Sequence, residues 1–515
     1  MLPSILVLLF AILCPITCRA DTEFWNSSEK LKLHIGPNAM TALRTRPRNY
    51  IEAGFQQGAS ARGEIGLHLK GNYGTFQGLE GKPSFTLDFS RFRSSQKVHN
   101  DEKVHLNNSL SDPSFMSEAL CHELFAKAHL PALNTSHALV ELNGHPLGLY
   151  VVVQGYGKGF LKEYFAAYGG NLYDSEFRHD ITEPLRKSSG RGLDDHSDLA
   201  ILAKAAQESD AHVRIRSLAA VLNLDQFYSF LALELMVCHF DGYARSINNY
   251  WLYHDPGSEK FVFLPYGMDQ MFWDPEGSLF PDLQGLVARA VLGTAEGRKD
   301  YRVRCKRLFS LFPPLTNRIE ELNLKLRPEM AKDGTNALAR FDHAVQELRD
   351  RVNKRISHLH RHLFAPDPSL LDLKSDEQTL VSNWLWSIEA GTAKMTNSAT
   401  GLTVLRSRFD NLEKSSVATW EARLLLPKGA YLIVARTASD EPVFRGPNPP
   451  AGLKLWGGVD LGAQTVRIGA QHLDLLHPFR IEADQEEVLL QIQLRSSGQP
   501  VTFEVSPVII RRLPD

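Results

Sequence analysis

Residues 239–273 read HFDGYARSINNYWLYHDPGSEKFVFLPYGMDQMFW and place two carboxylates and two amides where they could do chemistry. Asp241 follows a long apolar segment, Asn248 and Asn249 come shortly after it, and Asp269 lies just beyond the run FVFLPYG. NNYWLYHD and KFVFLPYG are strand-like and flank the Pro-Gly turn of DPGSEK. The chain therefore returns on itself between the two aspartates, and both can face one cleft. Phosphoryl transfer asks a protein for such a set: a carboxylate beside the acceptor hydroxyl, and hard oxygen donors for Mg²⁺ on the nucleotide phosphates. Taken singly, an Asp in a DG or MDQ turn also serves simply to bend the chain.

A second stretch, KGNYG, sits between the strand-like segments EIGLHLK and KPSFTLDF. Gly71, Asn72 and Gly74 would let bare backbone N–H groups approach an anion, and Lys82 follows with a mobile ammonium. Alone, GNYG reads as a plain hairpin turn.

The elements around these residues follow from periodicity. SDPSFMSEALCHELFAKAHLP reads as a helix ending before Pro131, with Ser111 or Asp112 as N-cap and Pro113 in its first turn. HALVELNGHPLGLYVVVQGY is a hairpin with its turn at Asn143–Gly144. Residues 174–195 read as a loop, and helices are expected at 194–207 and 224–240. The second of these, LDQFYSFLALELMVCHF, is apolar nearly all round and must lie at the centre of its domain. Residues 317–364 are helical and strongly charged. Within them HLHRH puts His358 and His362 on one face and His360 on another, and the segment reads as a solvated helix face rather than a metal cluster. Beyond about residue 366, short alternating stretches such as TWEARLLLPKGAYLIVART and EEVLLQIQLRS predict a β-sandwich. Its aromatics Trp384, Trp386, Trp420, Tyr431 and Trp456 could stack on a sugar or a partner protein, although alternating strand aromatics more often fill a core.

A chain of 515 residues exceeds one ordinary core, and 43% apolar with 23% charged residues is the composition of a folded protein. A net charge of −2 gives no electrostatic case for nucleic acid or an anionic membrane. The apolar run Ile5–Leu13, with Cys18 and Ala20 at −3 and −1 of a cleavage point, predicts a signal peptide over residues 1–20, hence a secreted, periplasmic or cell-surface protein. No later segment is long and apolar enough to span a membrane, so an integral membrane protein is not expected after cleavage. Cleavage leaves Cys121, Cys238 and Cys305, too few and too widely spaced for a disulfide framework, and they read as buried thiols.

The series KGN…GKPSFTLDF, DPSFMSEALCHELF, LVELNGHPLGLYVVVQ, GGNLYDSE, HFDGY…NNYWLYHD and FLPYGMDQMFW resembles the CotH (spore coat protein H) kinase family, in the family's order over about residues 60–275. The resemblance implies an α+β chain: an atypical protein-kinase-like domain over residues 21–365, followed by an all-β sandwich over 366–515. It implies ATP with Mg²⁺ or Mn²⁺ as cofactors and Ser/Thr of secreted or surface proteins as acceptors. Asp241 matches the catalytic-loop aspartate. Asn249, with Asn248 as alternate, matches the amide near metal, and Asp269 the metal-holding aspartate. Lys82 matches the phosphate-neutralising lysine, with Lys70 beside the GN turn as the competing choice and Asn72 within that turn. Glu118 is a better match than Glu123 for the helix carboxylate that positions the lysine.

The chain departs from the family pattern at Gln154 and Gly267, where the family commonly carries acidic residues, and at Pro83, where a lysine doublet is reduced to one. A pseudokinase, acting as a structural or surface-assembly protein whose sandwich binds a partner or a carbohydrate, is therefore the alternative.

Overall fold

The computed structural model describes residues 30–71, 74–94, 96–190, 196–398, 404–409, 415–441, 450–468, 471–497 and 500–514. The expected signal peptide, and Asn72, lie outside the described residues. The chain divides into two compact units. The first takes the residues up to Asn108 together with Glu123–Tyr168, and the second takes Ser109–His122 and Gly169–Asp515.

In the first unit β1 (Leu31–His34), β2 (Ile51–Gln57), β3 (Ser60–Lys70), β4 (Ser84–Asp88), β5 (Lys103–Asn107), β6 (Thr135–Leu142) and β7 (His145–Gln154) close into a barrel. Its order is β1-β2-β3-β4-β5-β7-β6, and the parallel pairing of β1 with β6 seals the ring. Closure removes the sheet edges that an open meander would expose. Inward residues such as Leu33, Phe55, Leu67, Phe85, Leu106 and Tyr150 are almost fully buried and form one core. β3 and β4 pair as the sequence implies, Leu69 opposite Phe85. The β6–β7 turn has Asn143 and Gly144 both at positive φ, the type I′ pattern. Asn143 also ties the turn to β1, accepting from Ile35 N and donating to Ile35 O. Helices α1 (Pro37–Thr45), α2 (Ser117–Lys127) and α3 (Lys158–Tyr164) complete this part of the chain order, with α2 beginning in the second unit.

Helix α2 starts later than its sequence suggests. Asp112 is not its flanking cap residue. The Asp112 carboxylate instead accepts from Ser114 N, Met116 N and Ser117 N, so one side chain satisfies the donors of the whole turn leading into the helix. Pro113 belongs to that turn, where its missing N–H costs nothing.

The second unit holds β8 (Leu172–Asp174) and β9 (Arg186–Ser189), which interrupt the expected 174–195 loop. Helices α4 (Ser197–Ala206), α5 (Ala211–Val221), α6 (Leu224–Met236) and α7 (Tyr243–Ser246) follow, then β10 (Tyr250–Asp255) and β11 (Lys260–Pro265). The sheet order is β11-β10-β8-β9. At the β10–β11 turn the Asp255 carboxylate accepts from Gly257 N and Ser258 N, an Asx turn that fixes the hairpin. From Phe227 onward helix α6 is buried on every side, as its composition predicts, and Asn223 caps it by accepting from Gln226 N. Helices α8 (Leu286–Leu292), α9 (Ala295–Leu308), α10 (Leu315–Ala331) and α11 (Thr335–Leu363) come next. The charged 317–364 segment is thus two helices, broken at Gly334 (φ +97°).

The C-terminal sheet comprises β12 (Gln378–Leu380), β13 (Leu385–Ala390), β14 (Ala393–Ser398), β15 (Val404–Phe409), β16 (Ser415–Ser439), β17 (Ala451–Trp456), β18 (Val459–Asp460), β19 (Gln464–Arg467), β20 (His472–Ser497), β21 (Val501–Val505) and β22 (Ile509–Arg512). β16 and β20 pair along nearly their whole length, with a register shift between Pro427 and Gly429. Both halves of this long hairpin feed one core containing Trp420, Tyr431, Phe479, Leu490 and Phe503. Trp420 and Tyr431 are therefore core residues rather than a platform, and Trp384 is buried as well but lines an internal cavity. Trp456 donates to Gln491 Oε1, and the Trp386 ring carries the Arg361 guanidinium 4.3 Å away.

One expectation is overturned at HLHRH. His360 is exposed, but His358 and His362 lie on the buried face of α11 and stack at 4.1 Å. The sequence pattern of a charged helix conceals this, because the sheet that covers the face comes from strands later in the chain. His362 bonds to Trp386 O at 3.0 Å and faces the Glu421 carboxylate of β16 at 3.3 Å.

Candidate active site

Helix α6 ends at Met236, and its last carbonyls are capped from elsewhere. Arg355 of α11, fully buried, donates to Leu235 O and Met236 O at 2.8 Å, and to Gly277 O at 2.6 Å. A buried cation at a helix C-terminus meets both the carbonyls of the last turn, of which Leu235 O also accepts from Cys238 N, and the negative end of the dipole. This fixes where the next loop begins.

That loop is held from within by Glu234, on the last turn of α6. Its two oxygens accept from Tyr243 N at 2.6 Å and Ala244 N at 2.9 Å, capping α7 from a distance. A side chain at Gly242 would collide with this carboxylate, which is why glycine follows Asp241. Burial pushes Glu234 up to about 8, against the opposing pull of those two N–H donors. His239 lies alongside, its Nδ1 3.8 Å from Glu234, and is pushed down to about 4 by burial while the backbone of Gly267 pulls the other way. His122 is pushed down to about 3 by burial and then by repulsion from His239.

Asp241 is half-buried at the end of this scaffold. Asn248 Nδ2 and Asn249 Nδ2 both donate to its Oδ2, at 3.0 and 2.8 Å. Burial raises its pKa, and the two amides and Arg178 oppose that rise. Reaching this geometry takes two left-handed residues, Ile247 (φ +52°) and Asn249 (φ +49°). Asparagine tolerates that region, whereas a β-branched isoleucine there is a strained exception of the kind that collects at functional sites.

The loop after β11 runs against Asn249. Gly267 has φ +62°, and a Cβ there would stand 2.7 Å from the Asn249 amide carbon and oxygen. Met268 is fully buried and Phe272 N donates to Val237 O at 2.8 Å, so the loop is anchored on both sides, the second time to the end of α6. Half-buried Asp269 sits between these anchors, and its neighbour Gln270 donates to Ser111 Oγ at 3.1 Å. Asp241, Asn248 and Asn249 are thus brought together, and the segment bearing Asp269 is brought alongside.

The remaining residues divide between the units. Lys70 and Lys82 belong to the first, and Glu118 belongs to the second. Lys82 precedes β4 rather than lying in it. Its Nζ donates to Leu149 O at 2.6 Å and stands 4.9 Å from the Tyr150 ring centre. Lys70, the last residue of β3, donates to Asn107 Oδ1 at 2.7 Å. Glu118 is buried in the first turn of α2; the Cys121 thiol nearby is pushed well up by burial first, then by Asp112 and Glu118. Gln154 is buried in a role an acid would fill poorly. Its Nε2 donates to Asp101 Oδ1 at 2.8 Å while its Oε1 accepts from Asn134.

Sequence reasoning passed over Glu234 and Arg355. For Glu234 a signal existed: a carboxylate inside a helix apolar on all sides must be answered by buried donors. Arg355 sits among many arginines on a charged helix and nothing local distinguishes it.

Residues 67–359, more than half of the chain, match the family model described as CotH kinase protein, which makes this a kinase-like protein. The chain belongs to the CotH kinase protein family. It is 24% identical over 291 residues to the inner spore coat protein H of Bacillus subtilis (strain 168), covering 51% of this chain and 78% of that one. Among solved structures, the Helicobacter pylori proinflammatory kinase CtkA aligns at 12% identity over 54% of this chain and 94% of its own, with a TM-score of 0.27. TmCBM61, solved with β-1,4-galactotriose, aligns at 15% identity over 26% of this chain and 90% of its own, with a TM-score of 0.20. Both scores are too low to define a shared fold.

Proposed function

We propose that the chain is an atypical kinase that transfers the γ-phosphoryl of ATP to Ser/Thr hydroxyls of secreted or surface proteins with a divalent metal. The observation that carries this reading is the Asp241 carboxylate, oriented by two amides on one oxygen and backed by the loop of Asp269. Because both amides converge on Oδ2, Oδ1 is the oxygen left to orient an acceptor hydroxyl. The donors at hand are carboxylate and amide oxygens, which fit Mg²⁺ or Mn²⁺ in kind. Asp269 and Asn249, with Asn248 as alternate, would hold the metal, which when bound neutralises the nucleotide phosphates. Lys82, or Lys70 in its place, would supply the ammonium of the phosphate site, and Glu118 the helix carboxylate of the family pattern. The name of the spore coat relative supports a surface assembly as the setting.

The test is incubation of the whole chain with labelled ATP and Mg²⁺ or Mn²⁺. Label should enter an acceptor or the chain itself, and Asp241→Ala and Asp269→Ala should each lower the rate by about 100-fold or more. Absence of label in the wild type, or unchanged rates in both variants, overturns the proposal.

The second reading, a pseudokinase serving as a scaffold, is favoured by Gly267. Its positive φ and its contact with Asn249 leave no place for the carboxylate the family commonly carries there. Nucleotide-dependent stabilisation without transfer would be its signature.

A further inference from the structure

A cavity of about 240 Å³ lies in the second unit, between α9, the end of α11 and the C-terminal sheet. Cavities of about 150 Å³ take up benzene, so this one has room for a ring with a short chain. Its walls are largely apolar and partly aromatic, with Phe280, Tyr301, Leu363, Trp384 and Leu489 among them.

Charged residues complete the wall. Arg302 and Arg423 both line the cavity and share a single carboxylate, that of Glu487, at 2.7–2.9 Å. Arg423 also meets Asp367 at 2.9 Å, and Lys306 approaches the same Asp367 at 3.8 Å. Three cations thus face two carboxylates, and Asp367 is largely in solvent. Arg423 Nη1 is buried without a hydrogen-bond partner among the described residues. Burial, and then repulsion from Arg423, pulls the Arg302 guanidinium below its ordinary range, whereas Arg423, although burial opposes it, is held above its own by Glu487 and Asp367. The other carboxylate in the wall, Glu421, is already engaged by Ser278, Gln491 and His362.

Three cations on two carboxylates leave one positive charge over beside an apolar chamber, and an anion that brings a hydrophobic body with it would balance it. We infer that this cavity is a binding site for a small aryl carboxylate, its ring against Trp384 and Phe280 and its carboxylate at Arg302 and Arg423. The site uses none of the residues assigned to phosphoryl transfer, so it stands or falls apart from that reading.

The experiment titrates the whole chain with 3-phenylpropanoate, 3-phenylpropan-1-ol and 3-phenylpropylamine by calorimetry, with thermal shift in parallel. The acid should bind at least about tenfold tighter than the alcohol, and the amine should not bind. Arg302→Gln should bring the acid down to the level of the alcohol. Ala365→Trp, which adds bulk at the lining and leaves both arginines in the chain, should abolish binding of both. Both variants are checked by circular dichroism, and should one fail to fold, the other decides. Equal binding of all three probes, no saturable binding of the acid at millimolar concentration, or acid binding unchanged in a folded variant overturns the assignment.

Discussion

At the scale of single residues, the site depends on a few conformations that only particular side chains permit. Gly267 is the sharpest case, because its left-handed backbone and the adjoining Asn249 amide both forbid a β-carbon. Restoring the family's acid by Gly267→Asp is therefore expected to damage the site. Strain at positive φ and displacement of Asn249 should together cost about 1–3 kcal/mol. The variant should unfold at a lower temperature than wild type, and a titration with Mn²⁺ should show no tighter binding. Tighter binding at unchanged stability would mean that the loop has room for the carboxylate after all. Glu234 shows the other side of the same economy. It keeps its oxygens on two backbone donors although burial favours its neutral form, and its place within an apolar helix was its visible mark in the sequence. Asp241, Asn248, Asn249 and Asp269 were legible because polar side chains crowded the ends of a hairpin. The left-handed turns that gather them were not, since Ile247 carries no local sign that its backbone will leave the ordinary regions.

At the scale of elements, the periodic segments were legible and their terminations were not. The β6–β7 hairpin, the β10–β11 hairpin and buried α6 follow from alternation, turn residues and all-round apolarity. The start of α2 is set by Asp112, which the sequence marks as a capping residue but not how far ahead of the helix it acts, and the end of α6 is set by Arg355, a partner more than a hundred residues away that local pattern cannot show. The closure of the barrel is likewise non-local, resting on the parallel pairing of β1 with β6 across about a hundred residues of chain. Arg355 carries the strongest consequence, since one guanidinium joins the end of α6 to the Gly277 turn. Arg355→Met keeps much of the volume and takes a donor from each of these buried carbonyls, Leu235 O keeping Cys238 N. It should cost about 2–4 kcal/mol, given the price of unsatisfied buried acceptors. If the loop of Asp241 depends on this cap, the turnover measured with labelled ATP should fall together with the denaturation midpoint. A midpoint unchanged from wild type would show that the carbonyls find other donors.

At the scale of the whole molecule, the C-terminal sheet and the helices before it behave as one folded body within the second unit, joined by polar groups out of reach of water. Glu421 of β16 accepts from Ser278 and Gln491 and faces His362 of α11. Arg298 meets Glu486 at 2.8 Å, and Ile388 N donates to Glu276 O at 2.8 Å. Glu389 of β13 lies 3.9 Å from Arg245 of α7, so the sheet reaches the helix that follows Asp241. Buried donors of this kind cannot be left unanswered, and a chain ending at residue 365 would expose them along with Phe280 and Tyr301. Such a truncation is expected to lose cooperative unfolding, while the whole second unit melts in one calorimetric transition. Glu421→Ala tests the same junction more finely, and removing the acceptor of three groups should cost about 3 kcal/mol. The pH dependence has a definite sign. Burial alone would raise the Glu421 carboxyl, but His362, Ser278 and Gln491 hold it below its ordinary value. The stability it contributes is therefore present above about 4.5 and is lost as pH falls through the depressed value. Wild type should lose more stability than Glu421→Ala on acidification through that window. Parallel pH profiles of the two proteins, or a truncated chain that melts as sharply as the whole, would show that the sheet and the helices fold independently.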